Sequence, residues 1–131
     1  MRAFREAVEA GDLDAVEALL SEDVVFTSPV VFKPYPGKAI TAAILRAVSQ
    51  VFEDFRYERE LAGADGRDHA LVFAARVGDR ELSGCDFIRV DEEGLIDELT
   101  VMVRPLSAAQ ALAAAMGAQF DRIAKEAQAR S

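Results

Sequence analysis

The spacing of apolar positions changes from a helical period to a period of two along the chain, and back again at its end. Residues 2–10 carry Phe4 and Val8 four apart with charge on the other side, which predicts an amphipathic helix stopped by Gly11. Asp12 is placed to cap a second helix over 13–20, whose face is Leu13, Val16, Leu19 and Leu20. Ser21-Glu22-Asp23 ends it, and the β-branched and aromatic run 24–28 reads as a short strand. Segment 29–37 holds Pro29, Pro34, Pro36 and Gly37 and reads as an irregular loop. Its Val30, Val31, Phe32 and Tyr35 are apolar for a loop, so it covers either a core edge or, as a lid, a pocket. Segment 38–52 repeats Ile40, Ile44, Val48 and Val51, the clearest helical stripe in the chain.

After residue 52 the period becomes two. Phe55, Tyr57 and Leu61 alternate with Arg56, Glu58 and Glu60. A turn over 63–68 leads to a strand at 69–77, and Gly78-Asp79 suits a two-residue hairpin turn. The partner strand is 80–90, Asp91–Gly94 turns the chain again, and 95–104 is the last strand, stopped by Pro105. Ser107 and Gln110 have capping-box spacing at the start of a C-terminal helix. Its apolar face is Leu112, Met116, Phe120 and Ile123, with Gly117 set to bend or divide it and 124–131 expected to be solvated and frayed. Helices followed by a strand meander mean an α+β fold, with helices covering one face of a long antiparallel sheet.

The hairpin fixes its own register. With Gly78-Asp79 as the turn, Ala75 faces Leu82, Phe73 faces Gly84, Leu71 faces Asp86 and His69 faces Ile88. Asp86 is then a carboxylate on an apolar face, with His69 diagonal to it at about 7–8 Å. Such an Asp either meets solvent or a neighbour's hydrogen bond, or works in a site. His69 lies close to a turn, where exposure is the expected fate. Cys85, Phe87, Thr100 and Met102 alternate to the opposite face.

Composition narrows the classes. The chain has 131 residues, 51% of them apolar, enough for one domain that buries roughly two thirds of its unfolded surface. A single cysteine rules out an intrachain disulfide and makes a reducing, cytoplasmic setting the default. The first residues are charged every few positions, with no apolar core of a signal peptide, and no stretch is long enough for a membrane span. A net charge of −8 argues against nucleic acid. One histidine and no cysteine cluster argue against a zinc site, and scattered glycines against a phosphate loop. No cofactor is expected.

The runs AGDLDAVEALLSEDVVF (10–26), PGKAI (36–40) and CDFIRVDEEGLIDELTVMVRP (85–105) resemble the nuclear transport factor 2-like superfamily, in its SnoaL-like branch. The resemblance covers roughly residues 2–105 of a single domain over 1–131, with 106–131 as a helical extension. It implies a cone-shaped curved sheet closed by helices over a deep apolar pocket for a small hydrophobic molecule, and a homodimer through the convex sheet face. The helices and first strand would line that pocket with Phe4, Val8, Phe26, Ser28, Ile44 and Val48. The loop would add Val31 and Phe32, and the sheet Leu71, Phe73, Leu82, Ile88, Leu99 and Val101.

The family includes ketosteroid isomerases, polyketide cyclases, epoxide hydrolases, dehydratases and non-catalytic members, so fold does not decide function. Asp86 stands where the oxyanion-stabilising acid of the ketosteroid isomerases stands. An apolar site keeps such an acid protonated; a wetter one makes it a base. The general base of those enzymes falls on Ser28, the first-helix tyrosine on Phe4 and a third-helix tyrosine on Leu45. These losses argue against ketosteroid isomerase as the specific activity. An epoxide-hydrolase set could draw only on Asp86 and Arg104, and alternation turns Arg104 outward. The expected catalytic candidates are therefore Asp86, with His69 and Tyr35 as helpers, in a cofactor-independent isomerase, cyclase or dehydratase. The alternative is a non-catalytic module that binds a hydrophobic ligand or dimerises.

Overall fold

A computed structural model describes residues 1–130. Helix α1 (Arg2–Glu9) buries Phe4 and Ala7. Gly11 at φ 70° lets the chain reverse tightly, a conformation that costs other residues more. The Asp12 carboxylate then accepts from Ala15 N at 3.1 Å and caps α2 (Leu13–Ala18). This helix is shorter than the expected 13–20. Ile96 N donates to Leu19 O at 2.8 Å, so sheet pairing takes the carbonyl and Leu20 already begins β1 (Leu20–Thr27). Ser21-Glu22-Asp23 is thus strand, not the break expected there.

The proline-bearing segment contributes a two-residue strand, β2 (Tyr35–Pro36), paired antiparallel to Val25 and Phe26. Helix α3 (Lys38–Val51) follows; of its stripe Ile44 is buried and Ile40, Val48 and Val51 are half-buried against the core, with Ala43 and Ala47 buried beside them. The meander is β3 (Glu53–Ala62), β4 (Asp68–Val77), β5 (Arg80–Val90) and β6 (Ile96–Arg104). Its β4–β5 register is the one read from the Gly78-Asp79 turn, Leu71 facing Asp86 and His69 facing Ile88.

The six strands lie in the order β2-β1-β6-β5-β4-β3. One pair departs from the expected all-antiparallel sheet: β1 runs parallel to β6. Helix α3 carries the chain from β2 at one edge of the sheet across to β3 at the other. After four alternating strands the meander returns alongside β1 in the same direction.

Pro105 is the N-cap of α4 (Leu106–Gly117), and no side chain caps it. Ala108 and Ala109 donate to Pro105 O at 3.1 and 3.0 Å, closing the first turn on backbone alone. The expected Ser107–Gln110 capping box does not form, because Ser107 already lies inside the helix. Gly117 ends α4, and α5 (Phe120–Arg130) follows. Of the stretch 124–131 expected to be solvated and frayed, Ala124, Lys125, Gln128 and Ala129 are exposed as expected, but the helix runs on to Arg130 with Ala127 packed on the core, and Ser131 lies outside the described residues. No helix is long and apolar enough to cross a membrane.

The core lies between the inner sheet face and the helices. Leu20, Val24, Leu71, Phe73, Ile96 and Leu99 are almost fully enclosed there. On the outer face Phe87 and Met102 are 44% and 58% exposed. They share it with Cys85 and Thr100, which pair with Met102 and Phe87 across β5 and β6.

Candidate functional site

Helices and sheet do not meet everywhere, and a cavity of about 420 Å³ remains between them. Helix α1 brings Phe4 and Val8 to it, β1 and the loop behind it bring Phe26, Ser28 and Val31, and α3 brings Ile44 and Val48. Phe73, Leu99 and Val101 come from the sheet. The C-terminal helices close the remaining side with Leu112, Met116, Phe120 and Ile123. The segment expected to be an extension is therefore part of the wall.

Asp86 enters this apolar lining from the middle of β5. Alternation turns it inward, between Leu71 on β4 and Val101 on β6. It is 8% exposed. The Tyr57 hydroxyl on β3 donates to its Oδ2 at 3.0 Å. Burial pushes the Asp86 carboxyl up from 3.8 to about 7, and the Tyr57 hydrogen bond, which favours the charged form, pulls against it. Burial, then the neighbouring Asp86 charge, pushes the Tyr57 phenol far above its usual range, so it stays a donor. The Arg5 guanidinium stands 5.8 Å from the centre of the Tyr57 ring. An acid that titrates near neutral pH can both take and return a proton there.

The other polar lining groups are Ser28, Tyr35, Ser49 and Tyr57. The Ser28 hydroxyl accepts from Val30 N and Val31 N, at 3.3 and 3.0 Å, and so organises its own loop. Tyr35 reaches the cavity from β2, its ring 6.4 Å from that of Phe26. Among the described residues, no group of three or more His, Cys, Asp or Glu side chains is placed to hold a metal ion.

Five expected site residues lie elsewhere. His69 sits at the start of β4, beyond the end of the cavity. Its Nδ1 is 3.4 Å from the Met1 amino nitrogen and its Nε2 is 3.0 Å from Gly66 O. Phe32 is 99% exposed, because Val30 and Val31 take the inward positions of the loop. Leu71, Leu82 and Ile88 do face inward, but they are buried in solid core, since the apolar face of the sheet is longer than the cavity.

Sequence reasoning placed Tyr57 only in the alternating run with Phe55 and Leu61, and did not bring it to Asp86 or set Phe52 and Phe55 beside it as an aromatic wall. Alternation does place Phe55 and Tyr57 on one face. Their partners were out of reach because the β3–β4 register shifts twice, between Glu53 and Arg56 and between Tyr57 and Arg59. The Gly63–Asp68 turn therefore does not count out the pairs as Gly78-Asp79 does.

A curved antiparallel meander closed by helices over an acid-bearing apolar cavity defines a class, and the sequence falls within it. The model of the SnoaL-like domain matches residues 1–99, and the chain belongs to that family. Among solved structures it is similar to a steroid delta-isomerase from Pseudomonas aeruginosa, with 47% identity and a TM-score of 0.87 over 91% of this chain and 87% of that one. It is also similar to an uncharacterised bacterial protein with a cystatin-like fold from Silicibacter pomeroyi, at 38% identity and a TM-score of 0.88 over 97% and 91% of the two chains. An NTF2-like protein of unknown function from Cytophaga hutchinsonii shares the fold at 17% identity, with a TM-score of 0.61 over 79% and 86%. No curated protein matches the chain by sequence.

Proposed function

We propose that this protein is a cofactor-independent acid–base enzyme of the isomerase or cyclase type, acting on an apolar carbonyl compound held in the cavity. The observation that carries the reading is the Asp86 carboxyl, buried in an otherwise apolar lining and held by the Tyr57 hydroxyl. Moving a double bond or closing a ring next to a carbonyl requires a base that takes a proton from carbon and gives it back. Asp86 is the only carboxylate among the described residues that line the cavity, so that work falls to Asp86. Of its two roles expected from sequence, base or oxyanion donor, this favours the base. Tyr57 positions it, and Tyr35 serves as a donor toward the mouth. His69 is no longer a helper.

The likeness to a steroid delta-isomerase at 47% identity supports the isomerase side. It also returns a β,γ-unsaturated ketosteroid to the substrates worth trying, although Ser28, Phe4 and Leu45 had argued against that activity. The test is turnover of a panel of β,γ-unsaturated ketones, ketosteroid included, by the wild type and by Asp86→Asn. Loss of about 10²-fold or more in the variant is expected for an acid–base role. Turnover that survives Asp86→Asn overturns the proposal.

A second reading is a non-catalytic ligand-binding module. The absence of a second carboxylate among the described lining residues favours it. Tight binding of the panel with no turnover by the wild type would select it. We also propose that the exposed Phe87 and Met102, with Cys85 and Thr100, form a homodimer surface, and that the lone, partly buried thiol works in the reducing cytoplasm.

A further inference from the structure

Gly84 lies in the middle of β5, directly opposite Phe73 on β4 and on the same sheet face as Asp86. A glycine inside a strand offers no side chain to pack and weakens the strand, so its presence asks for a reason. Backbone conformation is not that reason: Gly84 is absent from the glycines with positive φ, unlike Gly78 in the adjoining turn. Space is the reason. A Cβ at Gly84 would stand 2.2 Å from Phe73 Cζ and 2.7 and 2.8 Å from its two Cε atoms. The Phe73 ring thus lies flat against the bare backbone, in the place a side chain would fill.

That ring is fully buried, forms part of the cavity wall, and is packed on its other sides by aromatic neighbours. Its centroid is 5.0 Å from that of Phe55 and 5.7 Å from that of Phe52. It is also 6.4 Å, edge to face, from the Tyr57 ring that holds Asp86. A Cβ at residue 84 would force the ring back by more than an ångström to reach ordinary contact. The three aromatic rings block a sideways retreat, so the empty space open to it is the cavity, beside Asp86.

We infer that the Gly84–Phe73 pair sets the depth of the cavity at its Asp86 end, and so the size of molecule whose oxygen or acidic carbon can reach Asp86. Gly84 is a specificity determinant acting through Phe73, not a catalytic residue. The inference rests on the cavity being the ligand site, as proposed above.

Gly84→Ala, Phe73→Leu and the double variant test it, in the full chain. Calorimetric titration with cyclohexanone, 2-decalone and a perhydrophenanthrenone supplies a ladder of one, two and three saturated rings. In Gly84→Ala we expect the three-ring ketone to bind at least tenfold more weakly while cyclohexanone stays within twofold. Phe73→Leu in the same chain should restore three-ring binding, because the shorter side chain leaves room for the new methyl. Phe73→Leu alone should keep or strengthen three-ring binding. Equal losses for all three ketones, or no rescue in the double variant, overturn the inference. A crystal structure of Gly84→Ala, or of the double variant should the single one fail to fold, gives a readout independent of ligand. A Phe73 ring displaced into a smaller cavity, or a leucine restoring the original volume, supports the inference; an unmoved ring overturns it. Should the wild type bind no ketone, the proposed function falls, while the crystal structures still decide the role of the pair.

Discussion

Asp86→Asn should make this protein more stable at alkaline pH, and the gain can be worked from the site. In the unfolded chain the Asp86 carboxyl ionises at its ordinary 3.8; in the folded protein burial delays this to about 7. Between those values the folded state binds a proton that the unfolded state has released, so stability falls as pH rises through the window. Below about pH 3 both states are largely protonated and burial of a neutral acid costs little. Above pH 7 the folded protein carries the whole cost of a buried carboxylate. A rise from 3.8 to about 7 corresponds to about 4 kcal/mol, at about 1.36 kcal/mol per pH unit. Asparagine keeps the shape and an oxygen that accepts from the Tyr57 hydroxyl, but has no charge to bury. The variant's advantage over wild type should therefore grow by about 4 kcal/mol from pH 4 to pH 8. For a domain of this size that is roughly a 12–16 °C divergence of the melting temperatures. Urea unfolding of both proteins across this range measures it, and taking the difference cancels the titration of the surface carboxylates. Two stability curves that run parallel would show that the Asp86 carboxyl is not raised by burial, and the proton-transfer reading would lose its basis.

Three further outcomes check other parts of the structure. Tyr57→Phe removes the hydrogen bond that favours ionised Asp86; the Asp86 midpoint, followed by carbon-13 NMR of its carboxyl, should move upward from about 7, and a downward move or none would mean Tyr57 does not hold the charge. Leu71 is completely enclosed in solid core, so Leu71→Ala should cost about 2–5 kcal/mol in urea unfolding; a loss well under 1 kcal/mol would contradict the packing described. Phe87→Glu puts a charge into the outer apolar face and should convert a dimer to monomer by sedimentation velocity; a wild type that sediments as a monomer removes the dimer proposal.

Local rules carried the reading furthest where a short turn or a cap tied neighbouring residues together. Gly11 and Asp12 divide the first two helices because a left-handed turn and a carboxylate cap act within three or four residues. The two-residue Gly78-Asp79 turn sets ten consecutive pairs of the β4–β5 hairpin, since side chains alternate with a strict period of two. From that register alone Asp86 could be assigned to the apolar face, and Cys85 and Phe87 to the other. Local rules failed where a distant strand competed for the same backbone. Leu19 reads as helix by pattern, yet its carbonyl pairs with Ile96, and β1 starts four residues early. The stretch beyond 124 reads as frayed, yet it is helix as far as Arg130, with Ala127 against the core and its other face solvated.

The sequence by itself determined an α+β fold and an inward-facing acid, because period, turn and cap act over a few residues; the SnoaL-like kind came from the resemblance carried by the runs 10–26, 36–40 and 85–105. Only the tertiary structure decided that Tyr57 meets Asp86, since two register shifts separate β3 from any turn that could be counted. It also decided that Leu71, Leu82 and Ile88 are solid core while Phe73 borders empty space. Alternation assigns a residue to a face, but whether that face meets a helix or a cavity depends on how elements far apart in the chain fill the volume between them.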